Sequence, residues 1–165
     1  MVPRNGVKSG SRSHITQRER ERDGKFVSET VQAYSLGRPT YPRELFQFIA
    51  SKTPQHDLAW DVGTGTGQAA QSLAGIYKNV IATDASETLL NFTPKLPNIQ
   101  YKCTPPKLTM EELKHAIVEE SRVDVVTVAQ AVHWFDLPTF YQQVKWVLKK
   151  PHGVMAVVLP IAKDK

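Results

Sequence analysis

The chain is poor in several features that would have decided its class at once. It holds one cysteine, Cys103, in 165 residues. That excludes an internal disulfide framework and a cysteine-cluster metal site, and suits a reducing compartment. No apolar run approaches the roughly 18 residues of a membrane span, so a membrane partner is not expected and the cytoplasm is the expected location. No internal repeat is visible, which excludes a solenoid or propeller. Strong charge is also missing from most of the chain. The net charge of +5 is concentrated in residues 1–25, which carry seven Lys/Arg against three acids, whereas the other 140 residues carry 14 against 13. The high pI therefore describes a tail. Glu19, Glu21 and Asp23 argue against a transit peptide, because such peptides avoid acids. A basic tail without apolar periodicity is expected to be disordered and solvated, and nucleic acid is not the expected partner.

What is present is one domain's worth of apolar residues, 41% of the chain, in an alternating pattern of elements. A helix is expected over residues 26–33, interrupted by Gly37, Pro39 and Pro42. From Arg43, the residues Leu45, Phe46, Phe48 and Ile49 suit a helix lying on a core, ended by Pro54. Strands follow at 58–62, 79–83, 98–102, 123–128 and 153–159. Helices are expected at 68–76, after the N-cap Ser86, at 110–119 after the cap Thr109, and at 139–149. Strands apolar on both faces and alternating with helices imply an α/β fold, a mostly parallel sheet with helices on both faces.

The most informative stretch is Leu58-Ala59-Trp60-Asp61-Val62-Gly63-Thr64-Gly65-Thr66-Gly67-Gln68. A short apolar run ends in an acid, and three glycines at alternate positions lead into a helix. Glycine tolerates φ > 0 and lets a ligand approach the backbone. The helix start offers unpaired N–H groups. Asp84 ends the next apolar run, 21 positions after Gly63. That is the spacing at which a carboxylate meets a ribose in a nucleotide-binding βαβ unit. A nicotinamide or flavin fingerprint would place the third glycine three positions after the second. Here Gly67 comes after two.

Four blocks in order, Ala33-Tyr34 with Arg38-Pro39-Thr40-Tyr41-Pro42, then residues 60–67, then Ala82-Thr83-Asp84, then residues 123–135 ending His133-Trp134-Phe135, resemble the class I S-adenosylmethionine-dependent methyltransferases. The small-molecule type 11 group, with its trans-aconitate-methyltransferase-like members, is the branch the chain resembles. The resemblance covers about residues 26–160 and implies a Rossmann-like sheet, S-adenosyl-L-methionine as cofactor and a small-molecule acceptor.

It also implies roles. Gly63, Gly65 and Gly67 form the turn beneath the cofactor's methionine portion. Asp61 anchors the cofactor's amino end, or else serves as a turn partner. Asp84 accepts from the ribose hydroxyls, with a charge at the next helix start as the compatible alternative. Thr104, in Cys103-Thr104-Pro105-Pro106 where relatives place an acid or small polar residue, supplies a polar contact near the adenine. Gln130 is either a cofactor neighbour or a polar loop residue. His133, Trp134 and Phe135 are pocket wall or loop packing, and His133 is the candidate catalytic base, histidine being the side chain type suited to proton transfer at physiological pH. Tyr34 and Arg38 belong to an N-terminal lid, where Arg38 binds a carboxylate bidentately or makes a structural ion pair. No metal is called for.

The family sheet has seven strands in order 3-2-1-4-5-7-6, with strand 7 antiparallel. The chain supplies five, so the terminal hairpin is expected to be missing. The apolar run 154–159 is then an exposed edge, and marginal stability, aggregation or edge-to-edge self-association is expected. The expectations are an S-adenosylmethionine-dependent methyltransferase, incomplete at its C-terminus, or alternatively a catalytically inactive fragment that binds cofactor or a partner.

Overall fold

The computed structural model describes Lys25, residues 28–31 and residues 41–160. The chain divides into two units, before and after Arg38. Of the first, the described residues are helical, with a loose Lys25–Glu29 ion pair at 3.8 Å. The expected tail, the ends of the 26–33 helix, and Tyr34 and Arg38 lie outside the described residues.

The second unit opens with α1 (Arg43–Ala50). Phe46, Ile49 and Ala50 are buried, which is the i, i+3, i+4 spacing of one helical face. Phe48, expected on that face, lies two residues from Phe46 and so points away. It is 61% exposed, with the Lys52 ammonium 4.5 Å above its ring. The helix ends at Ala50, not at Pro54, because the Ser51, Lys52 and Thr53 amides close onto Gln47, Ile49 and Ala50.

Then the chain alternates: β1 (Leu58–Val62), α2 (Gln68–Ala74), β2 (Asn79–Asp84), α3 (Glu87–Asn91), β3 (Ile99–Cys103), α4 (Met110–Ala116), β4 (Val125–Ala129), a 3₁₀ turn (Val132–Trp134), α5 (Leu137–Val147) and β5 (Val154–Val158). The strands form one sheet in order β3-β2-β1-β4-β5, all parallel. This is the expected order for the first five strands. Ser86 caps α3 through its side chain, and Thr109 forms a capping box with Glu112 on α4.

The helices cover both faces. On one, Phe46, Ile49, Ala69, Ala70 and Leu73 pack against Ala59, Val80, Ala82 and Val125. Alanines in α2 let it lie close to the sheet. On the other, Leu113, Phe140, Val144 and Val147 pack against Trp60, Val62, Val126 and Val128. Every residue of β4 is buried, whereas β5 is only half-buried, with Val157 40% exposed. Val154 N–H and Val158 C=O are bonded toward β4. The residues of opposite parity, Met155 and Val157, therefore turn their backbone groups to the open edge.

Candidate active site at the C-terminal edge of the sheet

The glycine turn leaves β1 at its C-terminal end. All three glycines have positive φ: +69° at Gly63, +59° at Gly65 and +85° at Gly67. Two of them also lack room for a side chain. A Cβ on Gly63 would lie 2.6 Å from the Ala131 Cβ, and one on Gly67 would lie 2.8 Å from the Tyr101 hydroxyl. The turn is tied to β2 by the Gly63 and Thr64 amides, which both donate to the Thr83 carbonyl at 2.9 Å. Gly67 is the N-cap of α2 in the left-handed conformation.

Asp84 closes the turn from the neighbouring strand. One oxygen accepts from the Gly65 amide and the other from the Ser86 amide, each at 2.8 Å. Both readings of Asp84 can therefore hold together: the carboxylate sits at the start of α3, and it faces the middle glycine of the turn. The Thr104 amide donates to the Asp84 carbonyl at 2.9 Å, which places Thr104 beside that strand end.

Asp61 sits deeper. It is 1% exposed. Thr64 donates to one oxygen and Thr127 to the other, both at 2.6 Å. The register explains the second contact, because Asp61 pairs with Thr127 across β1 and β4. Burial pushes this carboxyl up to about 6, against the pull of the Thr127 and Thr64 hydroxyls and with a smaller push from Asp84. Both oxygens hold hydroxyls of the protein, as the turn-partner reading expects, and each keeps a lone pair for a further donor, so the cofactor-anchor reading stands beside it.

Residues 130–135 do not act as one wall. Gln130 has φ +56°, and its amide donates to the Val158 carbonyl at 2.8 Å. Phe135 turns inward, stacks on Phe140 at 4.8 Å, and lies 3.7 Å from where a Gly63 Cβ would be. His133 and Trp134 face solvent, Trp134 at 76% exposure, with their rings 4.9 Å apart. The tight 3₁₀ turn separates neighbours in sequence onto opposite sides.

A cavity of about 210 Å³ opens at this end, between β1, β2 and the 104–108 loop. Thr104 and Phe135, both read from sequence, line it with Trp60, Thr83 and Phe140. A larger cavity of about 680 Å³ lies at the opposite end, lined by Leu58, Ile81, Ile99, Gln100, Arg122 and others, and contains none of the predicted residues. In open α/β sheets ligands bind outside the carboxyl ends of the strands, so the smaller cavity is the functional candidate. The sequence reading missed Thr64, Thr127 and Tyr101. Thr127 carried one signal: it is the hydroxyl in an otherwise apolar strand.

Comparisons with known proteins show the family. The family model described as "Methyltransferase domain" (Methyltransf_11) matches residues 60–157. A Dictyostelium discoideum protein named as a methyltransferase is 36% identical over 129 residues, 78% of this chain and 46% of that protein. A Saccharomyces cerevisiae protein named as an S-adenosylmethionine-dependent methyltransferase is 31% identical over 70% of this chain and 40% of its own length. A solved structure named as a type II methyltransferase, from Anaeromyxobacter dehalogenans, superposes with a TM-score of 0.64 at 34% identity, over 73% of this chain and 48% of that one. The chain thus spans about half the length of the curated relatives it matches.

Proposed function

Because the chain belongs to the methyltransferase-domain family, we propose that it binds S-adenosyl-L-methionine at the C-terminal edge of its sheet and serves transfer of the methyl group to a small-molecule acceptor. The observation that carries the reading is the Asp84 carboxylate. It ends β2, faces the glycine turn through the Gly65 amide, and has no cation within ion-pairing distance among the described residues.

The cofactor supplies an electrophilic methyl group when bound. The protein's part is in-line placement, which is mainly proximity and orientation. Asp84 would take the ribose hydroxyls, and the turn 63–67 would carry the methionine portion. Thr104 and Phe135 would line the base side. Asp61, whose oxygens hold Thr64 and Thr127, would brace the turn and anchor the cofactor's amino end, directly or through water. Gln130 and the exposed His133 lie on the same edge, where an acceptor would approach; His133 is the candidate base. The reading of Tyr34 and Arg38 as lid residues rests on the sequence resemblance, since both lie outside the described residues. The cytoplasm is the proposed location.

The second reading, a fragment that binds cofactor or a partner without turnover, is favoured by the open edge of β5. The outward amides of Met155 and Val157 and the exposed Val157 and Leu159 suit pairing with a second copy. Sedimentation of the chain across a concentration series tests this, and a monomer throughout overturns it.

Calorimetric binding of S-adenosylhomocysteine tests the first reading. We expect micromolar affinity, falling about 100-fold in Asp84→Ala, which removes two charge-assisted hydrogen bonds. No binding by the folded chain overturns the cofactor reading. Turnover against a panel of small carboxylic acids then separates an enzyme from an inactive binder.

A further inference from the structure

Among the described residues, the Tyr101 hydroxyl is the buried side-chain oxygen that makes no hydrogen bond of full geometry, its one polar neighbour being the Thr93 hydroxyl, which is already committed to Leu90 and Lys95. A phenylalanine would bury the same ring without stranding a polar group, so packing of the core does not explain the oxygen. Its position does. It lies 2.8 Å from where a Cβ on Gly67 would be, with Tyr101 Cε1 at 3.3 Å and Thr93 Cγ2 at 3.4 Å from the same point. The hydroxyl thus fills the place of the side chain that Gly67 lacks.

The other side of this contact is well fixed. Tyr101 pairs with Ala82 in the middle of the β2–β3 ladder. Thr93 uses its own proton on the Leu90 carbonyl at 2.7 Å and accepts from the Lys95 ammonium at 3.3 Å. Lys95 also lies 5.4 Å from the Tyr101 ring centroid. Thr93 and Tyr101 together back the third glycine of the turn. Two residues earlier in that turn, the Gly65 amide meets the Asp84 carboxylate.

We propose that Tyr101 is a positioning residue: its hydroxyl props Gly67 from behind, so that the glycine turn holds the Gly65 amide against Asp84 in a ligand-ready geometry. The consequence for cofactor affinity rests on the reading above, whereas the consequence for the turn does not.

The test is Tyr101→Phe in the full 165-residue chain, with two measurements: hydrogen exchange of residues 63–68, and calorimetric binding of S-adenosylhomocysteine. The expected result has opposite signs in two places. The melting temperature stays the same or rises, because a buried hydroxyl without a well-made hydrogen bond is gone. Exchange in the turn speeds up and affinity falls, each about ten-fold, the size typical of residues that orient a binding group. A merely structural hydroxyl would move melting temperature, turn and sheet together, and that outcome overturns the proposal. Unchanged turn exchange in a folded Tyr101→Phe overturns it too. If the wild-type chain binds no S-adenosylhomocysteine, the cofactor reading fails, and turn exchange alone decides the role of Tyr101.

Discussion

The two ends of the sheet each carry a pair of aspartates, and the protein treats the pairs in opposite ways. At the N-terminal end, Asp57 and Asp124 are matched by lysines. Lys78 lies 2.7 Å from Asp57, and Lys149 bridges Asp57 at 3.0 Å and Asp124 at 2.8 Å. The Lys78 and Lys149 ammonium groups hold the Asp57 carboxyl down to about 2. At the C-terminal end, the donors to Asp61 and Asp84 among the described residues are neutral, threonine hydroxyls and backbone amides. Ion pairs at one end close the charge within the fold. At the other, two carboxylates stand near one another with no counter-cation among the described residues, and burial lifts Asp61 to about 6. A net negative edge beside a glycine turn is an arrangement that a cationic, hydroxyl-rich ligand would complete. Perturbed, uncompensated groups gather at functional sites more than at structural ones.

Breaking the compensated end should cost the most. Asp124 is 3% exposed, and besides Lys149 it accepts from the Asp57 and Leu58 amides at 2.8 Å each. Asp124→Ala strands those two donors and one arm of Lys149. We expect a loss of about 3–5 kcal/mol in chemical denaturation, the range for breaking a buried pair. In conditions where the variant stays folded, affinity for S-adenosylhomocysteine should be unchanged. A large affinity loss there would show that the two ends are not independent.

At the C-terminal end the corresponding break is Gly63→Ala. The new methyl would meet Ala131 at 2.6 Å on a backbone with φ +69°. Strain and overpacking together should remove about 2–4 kcal/mol, with binding lost as well. A variant that is destabilised yet binds normally would show that the turn tolerates the shift.

Asp61→Asn sharpens the contrast between a lowered and a raised carboxyl. The Asp61 carboxyl in the folded chain titrates near 6, above its ordinary value of 3.8. Between those values the folded chain holds a proton that the unfolded chain has released. Stability from this group is therefore complete below pH 3.8 and declines as pH rises through 6. The total is about 3 kcal/mol, from 1.36 kcal/mol per unit. Asp57, with its lowered carboxyl, behaves in reverse: its contribution is present above 3.8 and declines as pH falls toward 2. The difference between wild type and Asp61→Asn across pH 4–6.5, measured by urea denaturation, isolates the first effect. Asparagine keeps the size of the group and should flatten that slope. Parallel curves would mean that Asp61 is charged in the fold throughout.

The fold was legible because its signals are local. β-branched runs marked the strands, alanines marked the helix that packs closest, and Ser86 and Thr109 capped as read. The misplaced boundaries have non-local causes. The strand expected from Val123 begins at Val125, because Asp124 turns its side chain to the amides that open β1, and Val123 makes only an isolated bridge to Leu148. The site was legible as a set of positions and less so as roles. That Asp61 would be buried against a hydroxyl depends on Thr127, 66 residues away in sequence. The support of Gly67 by Tyr101 crosses two strands. Neither contact leaves a spacing to read.

The smallest expected effect concerns the triplet that the 3₁₀ turn divides. Phe135 is packed on Phe140 and lines the site cavity, whereas the neighbouring Trp134 is 76% exposed. An indole in solvent contributes little to folding, so Trp134→Ala should change stability by no more than about 0.5 kcal/mol. Phe135→Ala, by contrast, removes a ring from the cavity wall and should cost several times that. Urea denaturation of the two variants gives the comparison directly. If Trp134→Ala is folded and stable but slows turnover of an acceptor once one is found, the outward face of the turn belongs to the acceptor and the inward face to the cofactor. If turnover and stability are both untouched, Trp134 has no part in the chemistry, and the working part of this edge is sought at the turn, at Asp84 and in the cavity that Thr104 and Phe135 line.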